Sequence, residues 1–425
     1  MTTYQPTPSP LSSPQRRCHL LLMFYLPGVT VTPEFVGRVN GVDDTIARAD
    51  IKEAHQEITR YHRLSITTQR DGSYRIEGSA LDQRLCLLHW LRRALRLCPQ
   101  FIDSQFAPGL KKELKASGMT KALYDDTNLH ALVNMCARRL NRQFDCRDIR
   151  FLSLFLQYCL IEHQRGTTPQ FNEPQRGWIT PRIECLIAKE IVHHWQRRVN
   201  QPPHDDERLF LAALFMILRV PDPRNDSQPY DLRLHAAIEG MIARFRELSG
   251  MHFSDEQGLR HQLYIHLAQA LDRCHFGIGI DNSLPEEIHR LYPRLMRTTR
   301  EAVIDIESDY GLHFSDDEIG LVAVIFGAWL MQDKDLQEKQ VLLLTGNDSM
   351  LEQTIEQQLR ELTLLPLNIK YQTLHAFQAS GAPKSVTLIV TPYPTSLPLY
   401  SPPLIHVVPP LAERQQQKIR EILEA

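Results

Sequence analysis

GMHFSDEQ, residues 250–257, returns 61 residues later as GLHFSDDE, residues 311–318. Each copy puts a glycine where a helix stops, then a serine with Gln or Glu three positions on, the capping box that opens a new helix. A cap of this kind repeated at fixed spacing marks an internal duplication. Fainter echoes stand at FDCRD (144–148) and HDDE (204–207). The spacing predicts two tandem helical modules, 120–222 and 228–335, separated by the proline-rich bridge VPDPRNDSQPYD (220–231).

Working outward, residues 80–119 read as a helical linker. Residues 1–17 (MTTYQPTPSPLSSPQRR) are rich in Pro, Ser and Thr and are expected to be a disordered tail. The 18–79 segment reads helix, helix, turn, helix, then a hairpin. Thr32-Pro33 is a cap and first-turn pair, Gly41 a stop, and LSITTQRDGSYRI alternates around Asp71-Gly72. After Gln340 the period changes. VLLLTG, LNIKYQT, SVTLIVTP and LIHVV read as strands, SMLEQTIEQQLREL and ERQQQKIREILEA as helices. That is a small α/β domain over 339–425 with a parallel sheet, whose first strand runs into a loop of the type that binds anions.

Composition narrows the function. A net charge of −2 and a pI near 6.8 give no global field for nucleic acid, so any such site is a local patch. The useful basic cluster is Arg60, Arg63, Arg70 and Arg75. Eight cysteines without a CxxC pair read as free buried thiols in a reducing compartment. CHLLLMFYL (18–26) lacks the features of a signal peptide, and no apolar run approaches a membrane span. The expectation is a cytoplasmic protein without a cofactor or a metal.

No Walker loop, GxGxxG, HExxH or nucleophile elbow appears, so no catalytic residue is assigned. TGNDS (345–349) has one glycine and no following lysine, a poor phosphate loop. Two Glu-x-x-His pairs, Glu190–His193 and Glu286–His289, leave a di-iron bundle enzyme as a remote rival, because such sites take two of these motifs. LYIHLAQALDR (263–273) holds His266 inside an apolar helix seven residues before Arg273, on nearly the same face. By its residues alone it is either a core histidine or a functional one.

HLAQALDRCHFGIGIDNSLPEEIHRLYPRL and DDEIGLVAVIFGAWL resemble the signatures of phosphotransferase-system regulation domains (PRDs). The family that carries them in duplicate includes sugar-operon antiterminators and mannitol-operon activators. The resemblance implies a mainly α protein: a winged helix-turn-helix over 18–79, PRD-like modules over 120–222 and 228–335, and an enzyme IIB-like domain over 339–425. It implies a homodimeric transcriptional regulator, switched by phosphorylation of PRD histidines by phosphocarriers, with His266 on one such position and a phosphotransferase-system phosphocarrier or transporter domain as its protein partner. Other positions depart from the pattern: Ile325, Leu214 and Leu156 or Gln157 stand where histidines would. Leu344, Thr345 and Gly346 stand where a phosphocysteine would. In the head, the helix from Thr45 would offer Thr45, Arg48, Ala49 and Lys52 to the major groove, with Arg70 and Arg75 reaching the backbone. Asp43 and Asp44 suit the helix dipole but repel phosphate. The alternative is a degenerate regulator acting only through protein partners.

Overall fold

The computed structural model describes residues 10–199, 203–279, 286–332, 338–396 and 401–425. It divides into two compact units, Met1–Arg219 with Asp272–Asp281, and Val220–Leu271 with Asn282–Ala425. Among the described residues no helix is long and apolar enough to cross a membrane.

The first unit opens with α1 (Ser13–Tyr25), α2 (Pro33–Asn40) and α3 (Asp44–His62), followed by the antiparallel hairpin β1 (Ser65–Thr68) and β2 (Tyr74–Glu77). Residues 1–9 of the expected tail lie outside the described residues. From Ser12 the expectation of disorder is wrong, because Ser12 and Gln15 close a reciprocal capping box that starts α1. The apolar run Cys18–Met23 follows inside that helix, buried against α4 (Ala80–Leu97). Thr32 caps α2 through the Phe35 N–H at 3.1 Å, and Gly41 ends it at φ 66°, a left-handed turn that glycine adopts without strain.

Beyond α4, the chain Pro99–Ala116 holds α5 (Pro99–Phe101), a π-helical turn (Ile102–Phe106) and α6 (Ala107–Ala116). Then come α7 (Asp126–Arg139), α8 (Cys146–Gln164), α9 (Glu173–Ile179), α10 (Glu184–Gln196) and α11 (Asp205–Ile217). Helix α8 is buried on almost every face, so it forms the spine of this unit's core. Asp145 caps it reciprocally with Asp148.

The second unit runs α12 (Pro229–Ser249), α13 (Glu256–Phe276), whose last turn counts with the first unit, then α14 (Glu286–Leu291), α15 (Pro293–Ala302), α16 (Ile304–Tyr310) and α17 (Asp316–Leu330). Gly250 and Gly311 end α12 and α16 in the left-handed region, as the repeated octapeptide predicts. Ser315 caps α17 through the Glu318 N–H at 3.2 Å. In the other copy the cap falls one residue later than expected: Asp255, not Ser254, precedes the helix and accepts the Gly258 N–H at 2.9 Å. Aspartate caps as well as serine does.

A four-stranded parallel sheet closes the chain, ordered β4-β3-β5-β6, from β3 (Lys339–Thr345), β4 (Leu367–Thr373), β5 (Leu388–Thr391) and β6 (Leu404–His406). Three helices flank it: α18 (Ser349–Leu362), α19 (Leu374–Ser380) and α20 (Glu413–Glu424). The unbroken apolar run in β3 follows from burial on both faces. Val341 and Leu343 pack with Ile355, Leu359 and Ile419, while Leu342 and Leu344 pack on the other side with Phe377.

Candidate functional site

The head presents α3. Its inner stripe is Ala47, Asp50, Ile51, Ala54, Ile58 and His62. The opposite face carries Thr45, Arg48, Ala49 and Lys52, all exposed, so the four candidates do share one outward surface. Asp43 is spent as the cap, accepting the Ile46 N–H at 2.9 Å, and Asp44 pairs with Arg48 at 2.7 Å. Arg70 and Arg75 are exposed on the hairpin, where they also line an open cleft of about 820 Å³ with Tyr158, Glu162 and Arg165. The basic cluster expected at 60–75 is divided. Arg63 is a structural cation, donating to Asp82 at 2.7 Å and to the Phe276 carbonyl at 3.2 Å, and Arg60 lies over the Tyr61 ring. Sequence reading missed Asp50, a buried acid on the inner stripe held by Arg16 at 2.8 Å.

In the first unit, α11 places Glu207 three residues past its cap His204. The Arg84 guanidinium from α4 clamps it through two hydrogen bonds, 2.8 and 2.6 Å, donates to the Thr167 carbonyl at 2.9 Å, and lies over Phe210. Both side chains are buried, at 1% and 0% exposure. Burial works against the guanidinium charge, and the Glu207 hydrogen bonds overcome it, leaving the Arg84 pKa above its ordinary value. Leu214 and Leu156 are fully buried, and Gln157 donates to the Ser153 carbonyl within its own helix.

In the second unit, α17 places Glu318 at the matching position, three residues past Ser315. Here the facing group is His266, whose Nε2 lies 3.3 Å from Glu318 Oε2. The distance suits charge attraction, yet Nε2 makes no hydrogen bond of good geometry and is itself shielded from solvent. Ile325 is buried two turns along α17. Arg273 lies in the last turn of His266's own helix.

The loop after β3 is closed from inside. Gly346 N–H donates to Glu352 Oε1 at 2.6 Å, the Tyr393 hydroxyl donates to the same oxygen at 2.9 Å, and Asp348 caps α18 through the Leu351 N–H. A side chain on Gly346 would meet the Tyr393 ring at 2.7 Å. Leu344, at the expected phosphocysteine position, belongs to the sheet core.

One feature carried no sequence signal, because long-range burial creates it. Asp272 is buried and accepts the Trp178 indole N–H at 2.9 Å; burial raises its pKa to about 6. His275 stacks on the same indole at 4.3 Å, and burial lowers its pKa to about 4. Of the Glu-x-x-His pairs, Glu190 is ion-paired with Arg139, and Glu286 and His289 lie on the short α14. Among the described residues no group of three or more His, Cys, Asp or Glu could hold a metal.

The PRD domain description matches residues 239–329, spanning the His266–Glu318 pair, and that of the stationary phase-inducible protein CsiE C-terminal domain matches 339–423. The chain is similar to stationary phase-inducible protein CsiE of Escherichia coli (strain K12), 59% identical over the whole of both chains. It is similar also to transcriptional regulator ManR of Bacillus subtilis (strain 168), 25% identical over 83% of this chain and 54% of that one. The probable licABCH operon regulator of the same organism is 19% identical over 75% of this chain and 48% of its own length. The chain belongs to the CsiE family of PRD-containing proteins.

Proposed function

We propose that the chain is a DNA-binding transcriptional regulator that reads its site with α3 and does no catalysis. The observation that carries this reading is the exposed face of α3, where Thr45, Arg48, Ala49 and Lys52 stand together with Arg70 and Arg75 on the following hairpin. In this reading residues 18–79 are a winged helix-turn-helix, 120–222 and 228–335 are two PRD-like modules, and 339–425 is an enzyme IIB-like domain. The protein works in the cytoplasm as a homodimer.

His266 is the remaining phosphoacceptor, fed by a phosphotransferase-system phosphocarrier. A phosphoryl group there brings roughly two negative charges against the Glu318 carboxylate. The repulsion parts α13 from α17 and tips the second module between two states. The other family positions, Leu156 or Gln157, Leu214 and Ile325, have no group to phosphorylate, and Glu352 with Tyr393 fills the C-terminal loop.

Crosslinking of the full chain to DNA in growing cells tests the first part. Enriched sites are expected, with in vitro affinity falling steeply as salt rises, because Lys and Arg displace counterions. Lys52→Ala and Arg75→Ala should each weaken binding. A second reading, action through protein partners alone, is favoured by the Asp44–Arg48 pair, which neutralises the first turn of α3. Absence of binding even at low salt would establish it. For His266, acid-labile phosphate after incubation with the general phosphocarriers is expected in the wild type and lost in His266→Ala; an unlabelled wild type ends that part.

A further inference from the structure

The open cleft of about 820 Å³ in the first unit lies between the β1–β2 hairpin and the end of α8. Its walls are tied to one another. The Tyr74 N–H donates to the Val31 carbonyl at 2.8 Å, which joins the hairpin to the segment after α1. The Tyr25 and Tyr158 rings meet edge to face at 6.0 Å, which joins α1 to α8. All four of these residues line the cleft. Its volume falls in the range of small-molecule pockets, about 300–1,000 Å³.

Three arginines line it, Arg70 and Arg75 from the hairpin and Arg165 from the residue that follows α8. Among the described residues Arg70 and Arg75 make no hydrogen bond or ion pair. Arg165 is shared between Glu113 at 3.4 Å and Glu162 at 3.7 Å. Both contacts are longer than the about 2.7–2.9 Å of a tight charged pair. Against these cations the lining sets two acids, Asp71 and Glu162. Asp71 is engaged by its own turn, accepting the Ser73 N–H at 3.0 Å and the Ser73 hydroxyl at 2.6 Å. Burial pushes the Glu162 pKa up, which weakens its hold on a negative charge. The balance of the cleft is positive. Beside the charges stand Gln69 and Thr30, which can meet hydroxyls, and the apolar Phe24 and Val29.

We propose that this cleft binds a small phosphate monoester with a partly apolar body, of which a nucleoside monophosphate is an example. A phosphoryl group carries roughly two negative charges and three acceptor oxygens. It can therefore engage both hairpin arginines, whose planar forks offer phosphate two parallel donors each. A single carboxylate has one charge to divide between them. The body of the ester lies along Phe24 and Val29.

Occupation has a consequence for α3 and its hairpin. Arg70 and Arg75 are the side chains assigned above to the DNA backbone, so the ester and DNA compete for them, and each lowers the affinity for the other by the same factor. This consequence rests on the DNA-binding reading; the binding of the ester does not.

Calorimetric titration of the full chain with adenosine monophosphate tests the site, with inorganic phosphate and adenosine as the two halves of the probe. Saturable binding is expected for the monophosphate, weaker binding for each half. Arg75→Ala and Arg165→Ala, both at exposed positions, should each weaken it about tenfold. Lys52→Ala, outside the cleft, should bind the monophosphate as the wild type does, and melting curves verify that the variants fold. The proposal is overturned if the monophosphate shows no saturable binding at millimolar concentration, if inorganic phosphate binds as tightly, or if both arginine substitutions leave the affinity unchanged. Adding the monophosphate to the DNA-bound chain should release the DNA. A chain that binds the ester and no DNA ends the DNA-binding reading and leaves the cleft standing, whereas DNA that is bound and not released refutes the competition.

Discussion

Glu207 and Glu318 stand at the same place in two helices, the third residue past the cap, and meet opposite partners. Glu207 is held by Arg84, a permanent cation that arrives from α4 and buries with it. Glu318 faces His266, from within its own module, in a looser and partly accessible pair. An arginine stays charged under any cellular condition, whereas a histidine gains and loses a proton and can take a phosphoryl group. The first contact is therefore a fully buried, two-bond ion pair, and the second a single, less well aligned one.

The largest expected effect comes from breaking the first contact. Arg84→Ala leaves the Glu207 charge buried without its cation, at about 3–5 kcal/mol in denaturant unfolding. Arg84→Met with Glu207→Leu should recover most of that, since an apolar pair of similar volume needs no compensation. A loss below about 1 kcal/mol in the single variant would show that the pair adds little to stability.

Next in size is a pH effect at Trp178. The Asp272 pKa is raised, so the folded state binds the proton more tightly and this group adds stability as pH falls through about 6 toward 3.8. Its full range is about 3 kcal/mol. The His275 pKa is lowered, so its contribution runs the other way, present at neutral pH and lost as pH falls from 6.5 toward about 4. The two nearly offset in the wild type. Asp272→Asn should remove one side and uncover a loss of stability between pH 6.5 and 4, measured as melting temperature against pH. Identical profiles for the two proteins would refute the assignment.

Glu318→Gln should be milder than any change at Glu207, about 1 kcal/mol, because the pair is less buried and less well aligned. If the two glutamate substitutions cost the same, the contrast between the modules collapses. Smallest of all, Arg48→Ala should leave the melting temperature unchanged, since its pair with Asp44 is an exposed contact within one helix. Any effect on DNA binding then belongs to the surface and not to folding.

Much of the fold was legible where the signal is local. Thr32 with Pro33, Gly41, Asp71-Gly72 and the glycines of the repeated octapeptide mark their turns by backbone chemistry that does not depend on distant residues. SMLEQTIEQQLREL coincides with α18 from its first residue to its last. The expected disordered tail gives way to helix at Ser13, because its Pro and Ser composition masks the Ser12–Gln15 box. The site was less legible. His266 stood out in its apolar helix, and its partner Glu318 was recognised only as a capping residue. Asp50, Arg84 and Asp272 gave no sign of burial.

The sequence by itself determined where many helices begin and end, that a glycine-and-cap octapeptide recurs, and that the final sheet is buried on both faces. These follow from hydrogen-bond caps and hydrophobic periods, which act within a few residues. Only the tertiary structure decided that Arg84 meets Glu207 from 123 residues away, that His266 meets Glu318, and that Trp178 receives Asp272 and His275. Such pairings depend on which helix faces pack together, and burial, not residue type, then sets the charge each group can carry.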